Sequence, residues 1–346
     1  MKKVCAKRKP WIVAHANKGL KRKAKLNRRR RHQGKRNAYI GHKSDINKWT
    51  IIAPEKVSLI GNRDETLEYF SDVFEKIQLC GKGDQIYFDF HNIKYISNDA
   101  IMYIIALITN AKKIRRFSVG VSGNLPSDPK VRDTLEKSGF YKYVQHGNFP
   151  VASSGNDRIQ ISSGKNINSP LVGTICEFVR SASETPCDTS GLYSIIIELM
   201  TNTNQHAYRD DDELMDNNWY IFAQNCSSCV KFVFLDTGVG IPKTIKKKLR
   251  EYLKEFLEDF SIFNSDSAYI ESALKGEERT ETGESYRGQG LPEIYDVACS
   301  KNISDMMIMS GYGECRIKHD GSIAKYSLSK EFIGTLFTWK YVKRKE

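Results

Sequence analysis

Three strings, always in this order, restrict what the second half of the chain can become: ELMTNTNQHA from Glu198 to Ala207, DTGVGI from Asp236 to Ile241, and RGQGL from Arg287 to Leu291. The first reads as a helix. At about 100° per residue, Glu198, Asn202, Gln205 and His206 share one face, while Ile196, Met200, Thr203 and Ala207 take the opposite one. That first face is polar where a core helix should be apolar. The second string follows the strand-like run KFVFL, and its glycines permit close approach of the backbone to a neighbour. In the third, Gly288 and Gly290 precede a helix predicted from Leu291, whose first amides point outward toward any anion.

The chemistry of these residue types converges on a phosphorylated ligand. A carboxylate and an amide four residues apart stand one turn from each other and can serve one site. The side-chain oxygen of Asn202 suits a Mg²⁺ ion that also takes phosphate oxygens and waters. Glu198 is then placed to orient or deprotonate a water or a hydroxyl. Asp236, at the end of its strand, offers an acceptor to an exocyclic amine. Near the C-terminus GTLF, Gly334 to Phe337, falls in a strand-like run and adds the hydroxyl of Thr335.

Over roughly residues 165 to 346, these motifs resemble the GHKL superfamily of ATP-binding domains, which includes gyrase-type topoisomerases, the Hsp90 and MutL ATPases, histidine kinases and anti-sigma-factor serine kinases. The resemblance implies an α+β chain whose C-terminal part is a Bergerat-type α/β sandwich, with ATP and Mg²⁺ as its ligands. It implies Glu198 as the catalytic carboxylate, Asn202 as the Mg²⁺ ligand and Asp236 as the adenine reader. It further implies that Gly238, Gly240 and Ile241 shape the adenine pocket, that Gly288, Gln289, Gly290 and Leu291 cradle phosphates, and that Thr335 lies near the adenine end. Arg287 is placed to meet the γ-phosphate.

Charge divides the chain unevenly. Residues 1–44 hold seventeen Lys and Arg and no acid, leaving 37 basic against 41 acidic residues in the remainder, so the whole formal excess of +13 sits in one arm. Such a segment, 1–45, cannot bury enough apolar surface to order itself. It suits a polyanion such as DNA, RNA or a ribosomal surface, bound through phosphates with little sequence preference. The apolar runs are too short for a signal peptide or a membrane span. A cytosolic protein with reduced thiols is expected, because the eight cysteines show no disulfide framework. The lone CxxC, Cys226 and Cys229 in NCSSC, lacks partner ligands for zinc and reads as a hairpin turn between WYIFAQ and VKFVFL.

Residues 46–146 alternate strand-like and helix-like runs, with Ile101, Ile104, Ile105 and Ile108 at i, i+3, i+4, i+7. This predicts a small α/β domain. Its connection HNIKYISNDA is similar to the STAS domains of anti-sigma-factor antagonists. There the loop before the helix often holds a phosphorylated serine; here the matching position is Asn98, beside Ser97, which points instead to an interaction platform. A Gly, Ser and Asn-rich linker is expected over 147–168, containing the strand candidate RIQI, and the ATP-binding domain over 169–346. Within it, Leu249, Tyr252, Leu253, Phe256, Leu257 and Phe260 form a helical apolar stripe, and the polar stretch of about 264–287 is expected as a lid.

Three functions fit these features. The first is an ATP-dependent regulatory switch with Mg²⁺-dependent ATPase activity, acting on an unidentified protein partner. The second is a serine protein kinase of the anti-sigma-factor type, and the third a nucleic-acid or ribosome-binding protein gated by ATP. A homodimer is compatible with all three. A histidine kinase is disfavoured, since no long helical pair bearing a phosphoacceptor histidine precedes the pocket.

Overall fold

The computed structural model describes residues 47–115, 120–144, 157–205, 215–253, 265–276, 290–300 and 302–343. The basic arm, His206, Arg287, Gly288, Gln289 and most of the apolar stripe beyond Leu253 lie outside the described residues.

The first half runs β1 (Lys48–Ile52), β2 (Lys56–Val57), α1 (Arg63–Leu79), β3 (Gln85–Asp89), β4 (Tyr95–Ile96), α2 (Asn98–Arg115), β5 (Gly120–Gly123), α3 (Pro129–Ser138) and α4 (Tyr141–Val144). Strands β1, β3 and β5 form a parallel sheet in the order β1-β3-β5, and β2 pairs with β4. Helix α1 carries Asp64 and Glu65 in its first turn and Lys76 in its last, each complementing the helix dipole. Helix α3 is bounded by an Asp128 side chain accepting from the Lys130 amide and by Gly139 in the left-handed region.

The second half runs β6 (Arg158–Gly164), α5 (Ser169–Ala182), α6 (Ser190–Gln205), β7 (Trp219–Asn225), β8 (Cys229–Asp236), α7 (Ile241–Leu253), α8 (Asp266–Lys275), α9 (Gly290–Ala298), β9 (Ile303–Ile317) and β10 (Ile323–Val342). Its five strands form an open antiparallel sheet in the order β6-β7-β8-β10-β9. The result is a mixed α/β fold with open sheets. NCSSC forms the turn of the β7–β8 hairpin, closed by the Cys226 amide donating to the Cys229 carbonyl at 2.8 Å. The cysteines among the described residues are free thiols.

Alternation along the strands puts neighbouring residues into two separate cores. Trp219, Ile221, Phe232 and Phe234 pack with α5, α6 and α9, whereas Tyr220, Phe222, Val233 and Leu235 pack with α1 and α2. The antiparallel sheet is therefore buried on both faces. The core of its second face continues into Ile51, Ile86 and Phe88 of the parallel strands, and Asn47–Glu346 form one compact unit. Every residue of α2 from Ala100 to Leu107 is buried, so the helix is apolar all round rather than on the isoleucine stripe alone.

Polar contacts fix the register of this packing. Glu314 of β9, fully buried, binds Arg63 of α1 at 2.9 Å and Arg316 at 2.6 Å. Tyr103 of α2 stacks on Phe332 with ring centroids 4.6 Å apart, and Thr109 meets the Tyr220 hydroxyl at 3.0 Å. The Asn98 amide donates to the Gln224 side-chain oxygen of β7 at 3.4 Å, so the start of α2 is turned toward the antiparallel sheet.

Two stretches carry more regular structure than their composition suggests. The span 147–168 includes β6, which pairs with β7 as the edge of the antiparallel sheet. The span 264–287 includes α8, capped by the Ser265 hydroxyl and by Gly276, and anchored through buried Tyr269, Ile270, Ala273 and Leu274. Residues 277–287 lie outside the described residues. Among the described residues, no helix is long and apolar enough to cross a membrane.

Candidate functional site

Helix α6, strand β8, the start of α7, the start of α9 and strand β10 meet at a cleft of about 610 Å³, counted out to its open mouth. Its apolar wall is built from Leu199, Phe234, Ile241, Ile245, Leu291 and Phe337, and its polar groups are Asn202, Asp236, Thr244 and Thr335. Gly238 and Gly240 complete the floor. An apolar slot with a few convergent polar groups is the usual form of a small-molecule site.

One end of the cleft is wired by hydrogen bonds across three strands. Thr335 of β10 stands opposite Asp236 of β8 on one side and opposite Ser310 of β9 on the other. One Asp236 carboxylate oxygen accepts from the Gly238 amide at 2.9 Å. The Ser310 hydroxyl donates to the Gly334 carbonyl at 2.8 Å and accepts from the Ile241 amide at 3.1 Å. Having spent its single proton on Gly334, Ser310 accepts from the Thr335 hydroxyl 3.1 Å away. Thr335 is thereby left with acceptor lone pairs, next to the carboxylate of Asp236. This end of the cleft favours a ligand that donates, as an exocyclic amine does. Gly334, at φ +101°, makes the arrangement possible, since a side chain there would run into the Asp236 carbonyl oxygen.

Asn202 also lines the cleft, and Glu198 sits one turn behind it on α6, outside the cleft lining itself. Gly290, the first residue of α9, is pressed against both. A Cβ at Gly290 would lie 2.6 Å from a Glu198 carboxylate oxygen and 3.2 Å from the Asn202 amide. The first and third strings thus meet through a glycine that no other residue can replace without displacing the acid. Burial pushes the Glu198 carboxyl above the usual carboxylate range, and the nearby Glu293 carboxylate of α9 pushes it further. A carboxylate so raised is a better proton acceptor than an ordinary surface one.

Asn202, Asp236, Gly238, Gly240, Ile241, Leu291 and Thr335 therefore line one cleft, with Glu198 and Gly290 in contact at its rim. Thr244 and Ile245 carry no sequence signal of a site, and Phe337 entered the reading only as the end of GTLF. Ser310 has one weak hint, a lone hydroxyl in the apolar run MMIMSG. Among the described residues no cluster of three or more His, Cys, Asp or Glu side chains is arranged to hold a metal. The chain matches no protein-family model, and no curated protein matches its sequence significantly.

Proposed function

We propose that the chain is a Mg²⁺-dependent ATP-binding switch that turns ATP over slowly, with Glu198 as the general base. The observation that carries this reading is the contact of Gly290 with Glu198 and Asn202 beside a cleft that also presents Asp236 and Thr335 as acceptors. The apolar walls of the cleft suit the faces of a purine ring, and Asp236 with Thr335 suits the adenine amine. Asn202 would hold Mg²⁺, which when bound would offset phosphate charge. Glu198, its carboxyl raised by burial and by Glu293, takes the proton of an attacking water. Gly290 keeps the start of α9 close to that carboxylate without crowding it.

The test follows the γ-phosphate. Calorimetric titration with Mg·ATP measures binding, and incubation with γ-labelled ATP, alone and with candidate partner proteins, measures its fate. Saturable binding with label released as inorganic phosphate is expected. Label appearing on a protein hydroxyl would convert the reading to a serine kinase using the same residues. No binding at millimolar Mg·ATP would remove it.

A further inference from the structure

We propose that helix α2 holds the base-binding edge of the cleft through Asn110 and Tyr103, so that the N-terminal layer sets the affinity of the nucleotide site; this rests on the nucleotide reading above. Two relays start on α2, and they reach Asp236 from opposite sides.

In the first relay the Asn110 side-chain oxygen accepts from the Asp216 amide at 2.7 Å. The Thr237 hydroxyl then donates to the Asp216 carbonyl at 2.5 Å. Thr237 stands in the chain between Asp236 and Gly238, whose own side chain and amide are bonded together. In the second relay the Tyr103 hydroxyl donates to the Ile333 carbonyl at 3.3 Å, and its ring stacks on Phe332. The next residues are Gly334, whose backbone abuts the Asp236 carbonyl, and Thr335, which faces the cleft. Asn110 and Tyr103 lie seven residues apart, two turns along the same side of the helix.

Both side chains are chemically conspicuous where they stand. Asn110 is 2 % exposed, a placement that costs free energy unless the amide is bonded at both ends. It is: its nitrogen donates to the Ala106 carbonyl at 2.8 Å and its oxygen takes the Asp216 amide. A leucine would fill the space and pack better, yet it could not hold the β7 approach in place. Coupling of this kind is reciprocal. A ligand that tightens the Asp236 edge stabilises α2, and a partner that shifts α2 changes nucleotide affinity by the same factor.

The experiment uses the full chain and its Tyr103→Phe and Asn110→Leu variants, with Kd for Mg·ATP from calorimetry and kcat from phosphate release. Each variant is expected to weaken Kd by roughly three- to tenfold, the worth of one buried hydrogen bond. Turnover at saturation should stay within about twofold, because Glu198 and Asn202 on α6 belong to neither relay. A purely structural role would lower the melting temperature and leave Kd unchanged well below it. Hydrogen exchange on the parent gives a second reading, with slower exchange across α2 expected when Mg·ATP is saturating. Unchanged Kd in Tyr103→Phe together with unchanged α2 exchange overturns the coupling and leaves nucleotide binding intact. A parent that binds no ATP overturns both. If Asn110→Leu fails to fold, the phenylalanine variant and the exchange measurement decide.

Discussion

Thr335 and Asp236 are direct partners across the β8–β10 ladder, and Ser310 fixes the hydroxyl proton of Thr335 away from the cleft. The two side chains therefore present acceptors side by side. Asp236→Asn replaces one acceptor oxygen by a donor and is expected to weaken ATP relative to GTP by about 10- to 100-fold, the range for a hydrogen bond to a charged group. Parallel titrations with the two nucleotides check this. A parent that binds both equally would show that Asp236 does not read the base.

Glu198→Ala is expected to keep ATP binding and lose turnover by roughly 10²- to 10⁴-fold, the usual contribution of a positioned general base. A steady-state phosphate-release assay decides; unchanged turnover removes Glu198 from that role.

The raised Glu198 carboxyl has a thermodynamic consequence with a definite sign. Its folded pKa exceeds its unfolded one, so the native state prefers the protonated acid, and stability is lost as pH rises through the folded value. Glu198→Gln should therefore be more resistant to denaturant than the parent at neutral pH. The difference should close as pH falls below the ordinary carboxylate range. Urea unfolding at several pH values measures it, and a gap that widens in acid would refute the assignment.

Gly290→Ala should turn the Glu198 carboxylate aside, because the added methyl lies 2.6 Å from it, and so lower turnover by less than loss of Glu198 itself at little cost to folding. Gly173→Ala is the contrast. That glycine sits inside α5 with nothing within 4 Å of an added Cβ, so alanine should stabilise by roughly 0.5–1 kcal/mol. Denaturation midpoints and turnover of the two variants together separate site damage from helix propensity.

Arg63→Ala leaves the fully buried Glu314 with Arg316 as its remaining cation. A cost of about 1–3 kcal/mol is expected, below that of an isolated buried charge because one partner persists. Chemical denaturation checks the magnitude, and a neutral result would mean that the Arg63 pair contributes nothing net.

Much of this site was legible because short-range spacing carried it. Glu198 and Asn202 are one helical turn apart in any α-helix, and DTGVGI after KFVFL announces a strand running into a glycine turn. NCSSC between two apolar runs gave its hairpin for the same reason. The meeting of Gly290 with Glu198 was not legible, since it depends on how α9 packs on α6. Ser310 was missed because its role lies in three partners from two distant segments, Ile241 of α7 and Gly334 with Thr335 of β10. Helix α8 hid behind Ser and Glu, whose polarity masked the buried Tyr269, Ile270, Ala273 and Leu274. The isoleucines of α2 identified the helix, but Tyr103 packs on Phe332, more than two hundred residues downstream. Periodicity within one segment holds no information about a second partner.

Adjacent positions of β8 answer to different masters. Phe234 lines the cleft, and Leu235 belongs to the core shared with α1 and α2. Natural variants of this protein should therefore drift in a two-beat rhythm along that strand, even positions tracking changes in α5, α6 and α9 and odd ones tracking changes in α1 and α2.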